Sequence, residues 1–535
     1  MKDFLNDLKA SIAESKKNGM LKDIQINQTG DHLTILQSTL NTTAGMFYSP
    51  SEYYHILTDG DSGDTLLDQL VQMLERPYLT RLIALPDAHA GKEFPVGISC
   101  SFDPTHPECR VVPEMIGFDI NCGVRLWATN IKKSEFLPFR EAFMTRAFEQ
   151  IGIIDRPCPL PKEIDADKIL ERGIPYLIEL GMATELDAMC TESQGCLPVS
   201  NVKKLLGQAP RAAVKKQLGT LGNGNHYVEI QVVNEIFDDK ICKQLGLELD
   251  MVCISVHTGS RSVGGGAVSD LLKKCMRCES KYVHDEKVEI PINDPMAENY
   301  FEMVNACSNF AFCNRVMIGR EVEEALKQTF EQSMGDTEET EVKDTRGVRN
   351  IKSGSSITMR VISDSAHNIV RLEERDGKKV LRIRKGSTQI LPYGDKERSI
   401  ARDINKTSLY NSESSMPDDS NKCTIYPHVV SVGGSMSTGS YVLSAGKNGE
   451  SVDYVTCHGS GRILRRKDAN KEITQEGLKN ELESADVSMR VKNINKIREE
   501  SSKAYKCIKK VVDYCEESGL SNKVCRLAPI GGIKG

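Results

Sequence analysis

The amino-acid sequence predicts a protein of mixed helices and strands, and two regions of the chain carry this prediction. In residues 82–130, short runs of β-prone residues alternate with turn residues, as expected of strands joined by loops. In residues 135–217, apolar residues recur at helical spacing, for example in KILERGIPYLIELG. We therefore expect a layer of helices packed on strands. A second helical region is expected at about 474–518, ahead of the terminal RLAPIGGIKG.

The N-terminus and two internal stretches are more polar than the rest of the chain. Residues 1–45 are expected to form an accessory N-terminal segment that contains a period-two apolar pattern near Leu33. The stretches 330–356 and 409–422 have few apolar residues to bury, and 330–356 is also acidic. Because such segments cannot offset the entropy lost on ordering, we expect both to be mobile insertions.

Bulk composition indicates a folded protein that is neither secreted nor embedded in a membrane. Of the 535 residues, 39% are hydrophobic and 27% are charged. No apolar run reaches the length of about 18 residues that a spanning helix needs, and the charged N-terminus has no apolar stretch before a cleavage site. The 17 cysteines are odd in number and irregularly spaced. These features predict a cytoplasmic or nuclear protein with reduced cysteines.

The overall charge gives no support for nucleic-acid binding, because the formal net charge is -6. Any RNA contact must come from a local basic patch. The candidate is a short basic run, which is more often a solvated surface than a binding site, formed by Arg462, Arg465, Arg466 and Lys467.

The chemically informative residues are histidines in glycine-rich turns. One such histidine is usually a turn residue, but five of the ten histidines occupy such places, which favours a site: His89, His226, His257, His367 and His458. GFDINCGVRL adds Asp119 and Cys122, three residues apart; without partners these would be a capping residue and a buried thiol. Oxygen, nitrogen and sulfur ligands together suit Zn, Mn, Co or Fe, and a metal pair would suit phosphoryl chemistry.

Two glycine-rich loops predict a site for an anionic ligand. LGTLGNGNHYVEI places Asn225 and Glu229 around a turn whose amides can approach an anion, and SVGGSMSTGSYVLSAG offers Ser435 and Ser440. An ordinary hairpin would explain the second loop as well.

His458 has two interpretations in the sequence alone. In TCHGSGRIL it is followed by two glycines and Arg462. A neutral imidazole could act as a nucleophile with Arg462 stabilising phosphate charge, or His458 could be a metal ligand or a cap. The single CxxC, Cys275 to Cys278, has no second pair at zinc-site spacing and is interpreted as structural.

Taken together, these motifs and their order resemble the RtcB family of RNA ligases over residues 82–535. The resemblance rests on PDAHAG, GFDINCGVRL, LGTLGNGNHYVEI, HTGSRS, AHNIVRLEE with RKGSTQILP, GGSMSTGSYVL, TCHGSGR and the terminal KG. It implies a single α+β domain, residues 46–535, with β-sheets surrounded by helices around a pocket for two manganese ions and GMP.

The resemblance also implies residue roles. Cys122 would bridge the two metals, with Asp119 and His226 completing one site and His257 and His367 the other. His458 would attack the α-phosphate of GTP and carry GMP. The guanylate would be held by Asn225, Glu229, Ser435, Ser440, Tyr505 and Lys534. The implied reaction joins RNA 3′-phosphate or 2′,3′-cyclic phosphate ends to 5′-hydroxyl ends in tRNA splicing or RNA repair, with an archease-like activator and other RNA-ligase complex subunits as partners.

Several loops depart from the family pattern. HSGSRGLGHQ appears here as HTGSRSVGGG, SPGG before GFDINCG as PEM, PDVHPG as PDAHAG, and the Ser-Arg after HGAGR as Arg465–Arg466. All proposed metal ligands and His458 remain, so we expect guanylylation to be retained, with an altered RNA preference. Two alternatives are a divergent paralogue that serves as a metal- and nucleotide-binding scaffold, and a phosphodiesterase that does not use GTP.

Overall fold

The computed structural model describes most of the chain from residue 24 onward. The described residues are 24–37, 43–60, 65–153, 158, 160–284, 287–333, 339–344, 347–352, 357–375, 377–392 and 427–535. The predicted insertion 409–422 lies outside them. Within the predicted insertion 330–356, the backbone of Glu339–Asp344 and Gly347–Lys352 forms an antiparallel hairpin.

The strands and helices are numbered here in chain order. The strands are β1 Ile24–Thr29, β2 His32–Gln37, β3 Gly45–Phe47, β4 Leu79–His89, β5 Val96–Phe102, β6 Arg110–Val111, β7 Gly123–Lys132, β8 Tyr227–Ile236, β9 Met251–Thr258, β10 Val283–His284, β11 Lys287–Val288, β12 Ile290–Pro291, β13 Glu339–Asp344, β14 Gly347–Lys352, β15 Met359–Ala366, β16 Asn368–Arg375, β17 Lys378–Lys385, β18 Ser387–Gln389, β19 Val429–Gly433, β20 Ser440–Ala445, β21 Val455–Cys457, β22 Ser488–Val491 and β23 Ser521–Lys534. The α-helices are α1 Leu66–Leu74, α2 Lys133–Phe136, α3 Arg140–Gln150, α4 Ala166–Glu179, α5 Glu185–Met189, α6 Val202–Leu205, α7 Gln208–Gln217, α8 Asp239–Leu245, α9 Arg261–Met276, α10 Glu279–Tyr282, α11 Pro295–Ser333, α12 Arg466–Glu472, α13 Gln475–Ser484 and α14 Ile508–Glu517. This mixture confirms the α+β class.

The first sheet has seven described strands in the order β1-β2-β3-β4-β5-β17-β16. Its outer hairpin, β1 and β2, comes from the predicted N-terminal segment. Alternate residues of this hairpin, including Ile24, Ile26, Leu33 and Ile35, are buried. The period-two pattern near Leu33 therefore corresponds to a strand with one face against the core.

The second sheet follows the order β15-β7-β9-β8-β23-β20-β19, with β22 paired in parallel to β23. Gly123 of β7 pairs with Thr258 at the end of β9 and with Ala366 at the end of β15, and Tyr227 opens β8 opposite His257. Two strand starts and two strand ends therefore meet at one edge of this sheet.

The longest described helix, α11, packs against α3, α4, α9 and strand β9. It buries Arg315 completely, and this guanidinium donates to Asp364 Oδ1 at 2.8 Å and to the carbonyl oxygens of Asn121 and Thr258, both at 2.9 Å. The helix thus fixes the turn before β7 and the end of β9. Among the described residues, no helix combines the length and apolar character needed to cross a membrane.

Candidate active site

The five predicted metal-site residues meet at the shared edge of the second sheet. Cys122 directly precedes β7, His226 precedes β8, His257 is the next-to-last residue of β9, and His367 follows β15. Asp119 lies in the turn before Cys122. We refer to these residues together as the five-residue cluster.

The donor atoms of the five-residue cluster face one another. Cys122 Sγ lies 3.2 Å from His257 Nε2 and 3.5 Å from His226 Nε2. His257 Nε2 lies 3.3 Å from His367 Nε2, and His226 Nε2 lies 2.8 Å from Asp119 Oδ2. Two groups of three donors result, Asp119 with Cys122 and His226, and Cys122 with His257 and His367, each within 4.8 Å of one another. Cys122 is common to both groups.

This donor set fits two divalent cations that share a thiolate. Burial, together with the Asp119 carboxylate, raises the pKa of Cys122 well above its usual value, and burial lowers the pKa of both His257 and His367 well below theirs. Burial also opposes ionisation of Asp119, but His226 holds its pKa below the usual value. The imidazoles of His257 and His367 are thus neutral, with lone pairs available, and a cation is the partner that would make the thiolate favourable.

Surrounding contacts orient the cluster. His226 Nδ1 donates to Leu221 O at 3.1 Å, so that Nε2 points towards Asp119 and Cys122. The His367 amide donates to Cys122 O at 2.8 Å. A Cβ at Gly259 would lie 2.4 Å from Asp119 Oδ1, which explains the glycine in HTGSR.

His458 lies beside the cluster and is held by Asp87. Its ring centroid is 4.9 Å from that of His367. Asp87 Oδ2 accepts from His458 Nδ1 at 2.6 Å and from the amides of His458 and Gly459 at 2.9 and 3.3 Å. In the tautomer whose Nδ1 donates this hydrogen bond to Asp87, the lone pair of the neutral ring lies on Nε2. This arrangement favours the nucleophile interpretation of His458.

Asp87 was not among the predicted site residues, although PDAHAG carried the signal. It is fully buried, and burial alone would raise its pKa, but His458 and then Lys506 keep it below the usual value. Lys506 Nζ donates to the carbonyl oxygens of Pro86 and Ala88, both at 2.8 Å. Burial lowers the pKa of Lys506 to about 7. No motif in the sequence pointed to Lys506.

His89, the fifth candidate histidine, is outside the cluster. Its Nδ1 contacts Asp87 O at 3.0 Å, and burial lowers its pKa to about 4. It lines a cavity of about 250 Å³, which we call the His458 cavity. Side chains predicted to bind a nucleotide line the same cavity: Asn225, Glu229, Ser435, His458, Tyr505 and Lys534.

Ser440 is the one predicted nucleotide residue that does not line the His458 cavity. Ser440 is buried, and its hydroxyl accepts a hydrogen bond from Gln231 Nε2 at 2.8 Å. Gln231 also donates to the Glu229 carboxylate. Burial raises the pKa of Glu229 to about 8, while Gln231 and Lys534 act in the opposite direction.

One wall of the His458 cavity carries a network of charged and polar side chains, of which Glu500 was not predicted from the sequence. Glu500, in a short 3-10 helix, accepts from Tyr505 OH at 2.5 Å and lies 3.8 Å from Lys534 Nζ. Arg462 Nη1 donates to Tyr505 OH at 2.6 Å. Lys534 Nζ also donates to Gly224 O at 2.9 Å. Alternating cations and anions of this kind suit a ligand with both phosphate and hydrogen-bonding groups.

A second cavity, of about 310 Å³, opens on the Asp119 side of the cluster. We call it the Arg261 cavity, and it is lined by Phe118, Asp119, Asn223, Gly224, Asn225, His226, Arg261 and Arg466. Asn225 and Arg466 line both cavities. The two spaces therefore adjoin each other beside the cluster.

Comparison with known proteins identifies the family of the chain. The family model described as tRNA-splicing ligase RtcB matches residues 69–535. The RNA-splicing ligase RtcB homolog 1 of Entamoeba dispar is 31% identical over 468 residues, which cover 86% of this chain and 80% of the relative. The tRNA-splicing ligase RtcB of Thermococcus kodakarensis is 31% identical over 486 residues, covering 88% and 91%. The Entamoeba histolytica homolog 1 is 30% identical over 488 residues, covering 89% and 84%. The resemblance drawn from the sequence motifs is confirmed, and this chain belongs to the RtcB family.

Proposed function

We propose that this protein is an RNA ligase that uses GTP and manganese to join 3′-phosphate or 2′,3′-cyclic phosphate ends to 5′-hydroxyl ends, in tRNA splicing or RNA repair. One observation carries the proposal. His458, with Nδ1 held by Asp87, borders a cavity lined by nucleotide-binding residue types and stands 4.9 Å from the ring of His367 in the five-residue cluster.

In the first step, His458 Nε2 attacks the α-phosphorus of GTP. The N–P bond forms while the bond to the β-phosphate oxygen breaks, and pyrophosphate leaves. Asp87 accepts the hydrogen bond from Nδ1 and stabilises the positive charge that develops on the ring. Arg462, on the cavity wall, offers a guanidinium to the phosphate charge.

In the later steps, an oxygen of the RNA 3′-phosphate attacks the same phosphorus, which returns the electron pair to Nε2. The 5′-hydroxyl oxygen then attacks the phosphorus of the activated RNA phosphate, and its proton passes to solvent. The bond from that phosphorus to the oxygen that bridges it to GMP breaks, and GMP leaves. A 2′,3′-cyclic phosphate is first opened by water. Splitting one difficult condensation into such steps is what a covalent histidine contributes.

The cations would be held by the five-residue cluster, with Cys122 bridging, Asp119 and His226 on one ion, and His257 and His367 on the other. When bound, they would neutralise phosphate oxygens and lower the pKa of an attacking hydroxyl or water. The neutral, buried imidazoles of His257 and His367 meet the requirement that histidine binds metal in its unprotonated form.

The guanylate would be held by Asn225, Glu229, Ser435, Ser440, Tyr505 and Lys534. Glu229 is suited to bind the Watson–Crick edge of guanine. Burial raises the pKa of this carboxyl to about 8, and Lys534 nearby acts in the opposite direction, towards the ionised form that accepts hydrogen bonds. Ser440 acts through Gln231, which joins it to Glu229. Beyond RNA, the proposed partners are an archease-like activator and subunits of an RNA-ligase complex, in the cytoplasm or nucleus.

A joining assay separates this proposal from the scaffold and the phosphodiesterase. The full-length protein is incubated with manganese, a labelled oligoribonucleotide that ends in a 3′-phosphate, and a second that begins with a 5′-hydroxyl, with and without GTP. We expect a joined product only when GTP is present. Conversion of the RNA ends without GTP would support the phosphodiesterase, and binding of GTP without any conversion would support the scaffold.

A further inference from the structure

Phe118 is a large apolar residue that is exposed next to the catalytic centre. Half of its surface, 50%, is accessible, although it directly precedes the cluster residue Asp119. The preceding Gly117 adopts a left-handed backbone conformation with φ +73°, which belongs to the same turn. A single exposed apolar residue is common on protein surfaces, but Phe118 also lines the Arg261 cavity beside Asp119 and His226, where its ring can offer a stacking face to a ligand.

The Arg261 cavity, which Phe118 lines, also contains the guanidinium groups of Arg261 and Arg466. Arg261 forms no salt bridge with any described residue, and its only hydrogen bond among them runs from Nε to Thr220 Oγ1 at 3.4 Å. A Cβ at Gly222 would lie 2.1 Å from Arg261 Nη1, so the glycine makes room for the guanidinium. Arg261 has φ +55°, a conformation that costs energy for a residue with a side chain. Such an arrangement suits an anion.

The position of the Arg261 cavity identifies which RNA end fits it. The cavity adjoins the His458 cavity through Asn225 and Arg466 and is bordered by Asp119 and His226 of the cluster. A 3′ end carries a terminal phosphate that must reach both the cations and the guanylate, whereas a 5′-hydroxyl end has no terminal phosphate to pair with Arg261. The charge of this cavity therefore favours the 3′ end.

We propose that the base of the 3′-terminal nucleotide stacks on Phe118 while its 3′-phosphate enters the Arg261 cavity. This inference rests on the proposed function and adds an RNA subsite to it. Aromatic side chains bind unpaired bases by stacking, and the contact tolerates any base because every base has a π-face. Phe118 would thus hold the RNA end without restricting its sequence.

Fluorescence anisotropy on the full-length, manganese-loaded protein tests this subsite without depending on catalysis. The probe is an oligoribonucleotide with a 3′-phosphate, compared with the same RNA whose terminal residue is a stable abasic analogue. The variants are Phe118→Ala and Phe118→Trp. The matched control is Phe237→Ala, which truncates another exposed phenylalanine (39%) just beyond the far end of β8, about 35 Å along the strand from His226.

We expect Phe118→Ala to weaken binding of the intact RNA on the order of tenfold, the usual effect of removing one stacked base contact. Removing the base should weaken binding to the wild-type protein by a similar factor and cause no further loss in Phe118→Ala. Phe118→Trp should restore affinity, and Phe237→Ala should bind like the wild type.

Three results would overturn the subsite. The first is an unchanged RNA affinity in Phe118→Ala, and the second is that the variant and the missing base each weaken RNA binding independently, so that their factors multiply. The third is a loss confined to GTP labelling or to binding of the 5′-hydroxyl RNA. Failure of the proposed function gives a different pattern. In that case, wild-type protein takes no label from GTP, while Phe118-dependent binding of the 3′-phosphate RNA persists.

Discussion

The five-residue cluster and the His458 cavity meet at His458 but are built in opposite ways. In the cluster, thiol and imidazole donors face one another at 3.2 to 3.5 Å, and burial disfavours charge on them. In the cavity, the charged and hydroxyl groups of Lys534, Glu500, Tyr505 and Arg462 already contact one another. The proposed cations would therefore stabilise the cluster, whereas the cavity already has internal contacts that a ligand would have to replace. We expect substitutions in the cluster to have the larger effects.

Cys122→Ser should have the largest effect, because one thiol serves both halves of the cluster. We expect most of the bound metal to be lost and labelling by GTP to fall by at least about a hundredfold, since changes in outer contacts alone cost 10–100-fold. Metal analysis of the purified protein measures the loss of bound metal. Cys253→Ala, which alters another buried cysteine on β9, should keep its metal. Full metal content in Cys122→Ser would contradict the claim that the five-residue cluster holds the cations through Cys122.

Asp87→Asn tests the junction between the two regions. An amide can donate to His458 Nδ1, which would move the proton to Nε2 and remove the attacking lone pair. We expect the rate of labelling by GTP to fall about a hundredfold or more, with metal content unchanged. Asp453→Asn is the control, because Asp453 is a buried acid paired with Arg81 and Arg375. Equal rates in both variants would show that Asp87 does not orient His458.

Tyr505→Phe should have a smaller effect, because the cavity retains its remaining contacts. The substitution removes the hydroxyl that joins Arg462 to Glu500. Loss of about 1 kcal/mol would raise the KM for GTP about fivefold with little change in kcat. Tyr176→Phe removes a hydroxyl in the helical layer, bonded to Glu163 O, and should not change the KM. A drop in kcat of more than about a hundredfold would contradict the division into a cluster and a cavity that already has internal contacts.

Glu229→Gln should change the pH dependence of stability by a few degrees in Tm. Burial raises the pKa of Glu229 to about 8, so its contribution to stability is complete below the pKa of the unfolded chain and is lost as pH rises through 8. Glutamine does not ionise. The Tm difference, variant minus wild type, should therefore be more positive at pH 9 than at pH 6 in the GTP-free protein. A constant difference would show that Glu229 is not held in its neutral form.

The difference between residues in local sequence motifs and residues that act through distant contacts explains how much of the site could be predicted from the sequence. All five cluster residues and His458 were predicted, because each lies in a glycine-rich turn at a strand end. Residues that act through distant contacts escaped prediction: Asp87, Arg315, Glu500 and Lys506. Arg315 is an example, since it lies within a long helix and reaches the turn of Asn121 only in the folded chain.

The fold shows a similar limit. The terminal RLAPIGGIKG gave no strand signal, yet β23 runs through the second sheet between β8 and β20. Its proline and glycines interrupt the alternating pattern, and its register with β8 shifts at Arg526/Leu527 and between Pro529 and Gly531. Because β23 places Lys534 in the His458 cavity, the interrupted strand is also a part of the site.

The most direct measurement is the location of the label after incubation with α-labelled GTP and manganese. The protein is denatured, digested and analysed by mass spectrometry, with His458→Ala in parallel. We predict an acid-labile GMP on the peptide that contains His458 and no label in His458→Ala. A label on another residue, or one that survives in His458→Ala, would contradict the central claim that His458 is the nucleophile.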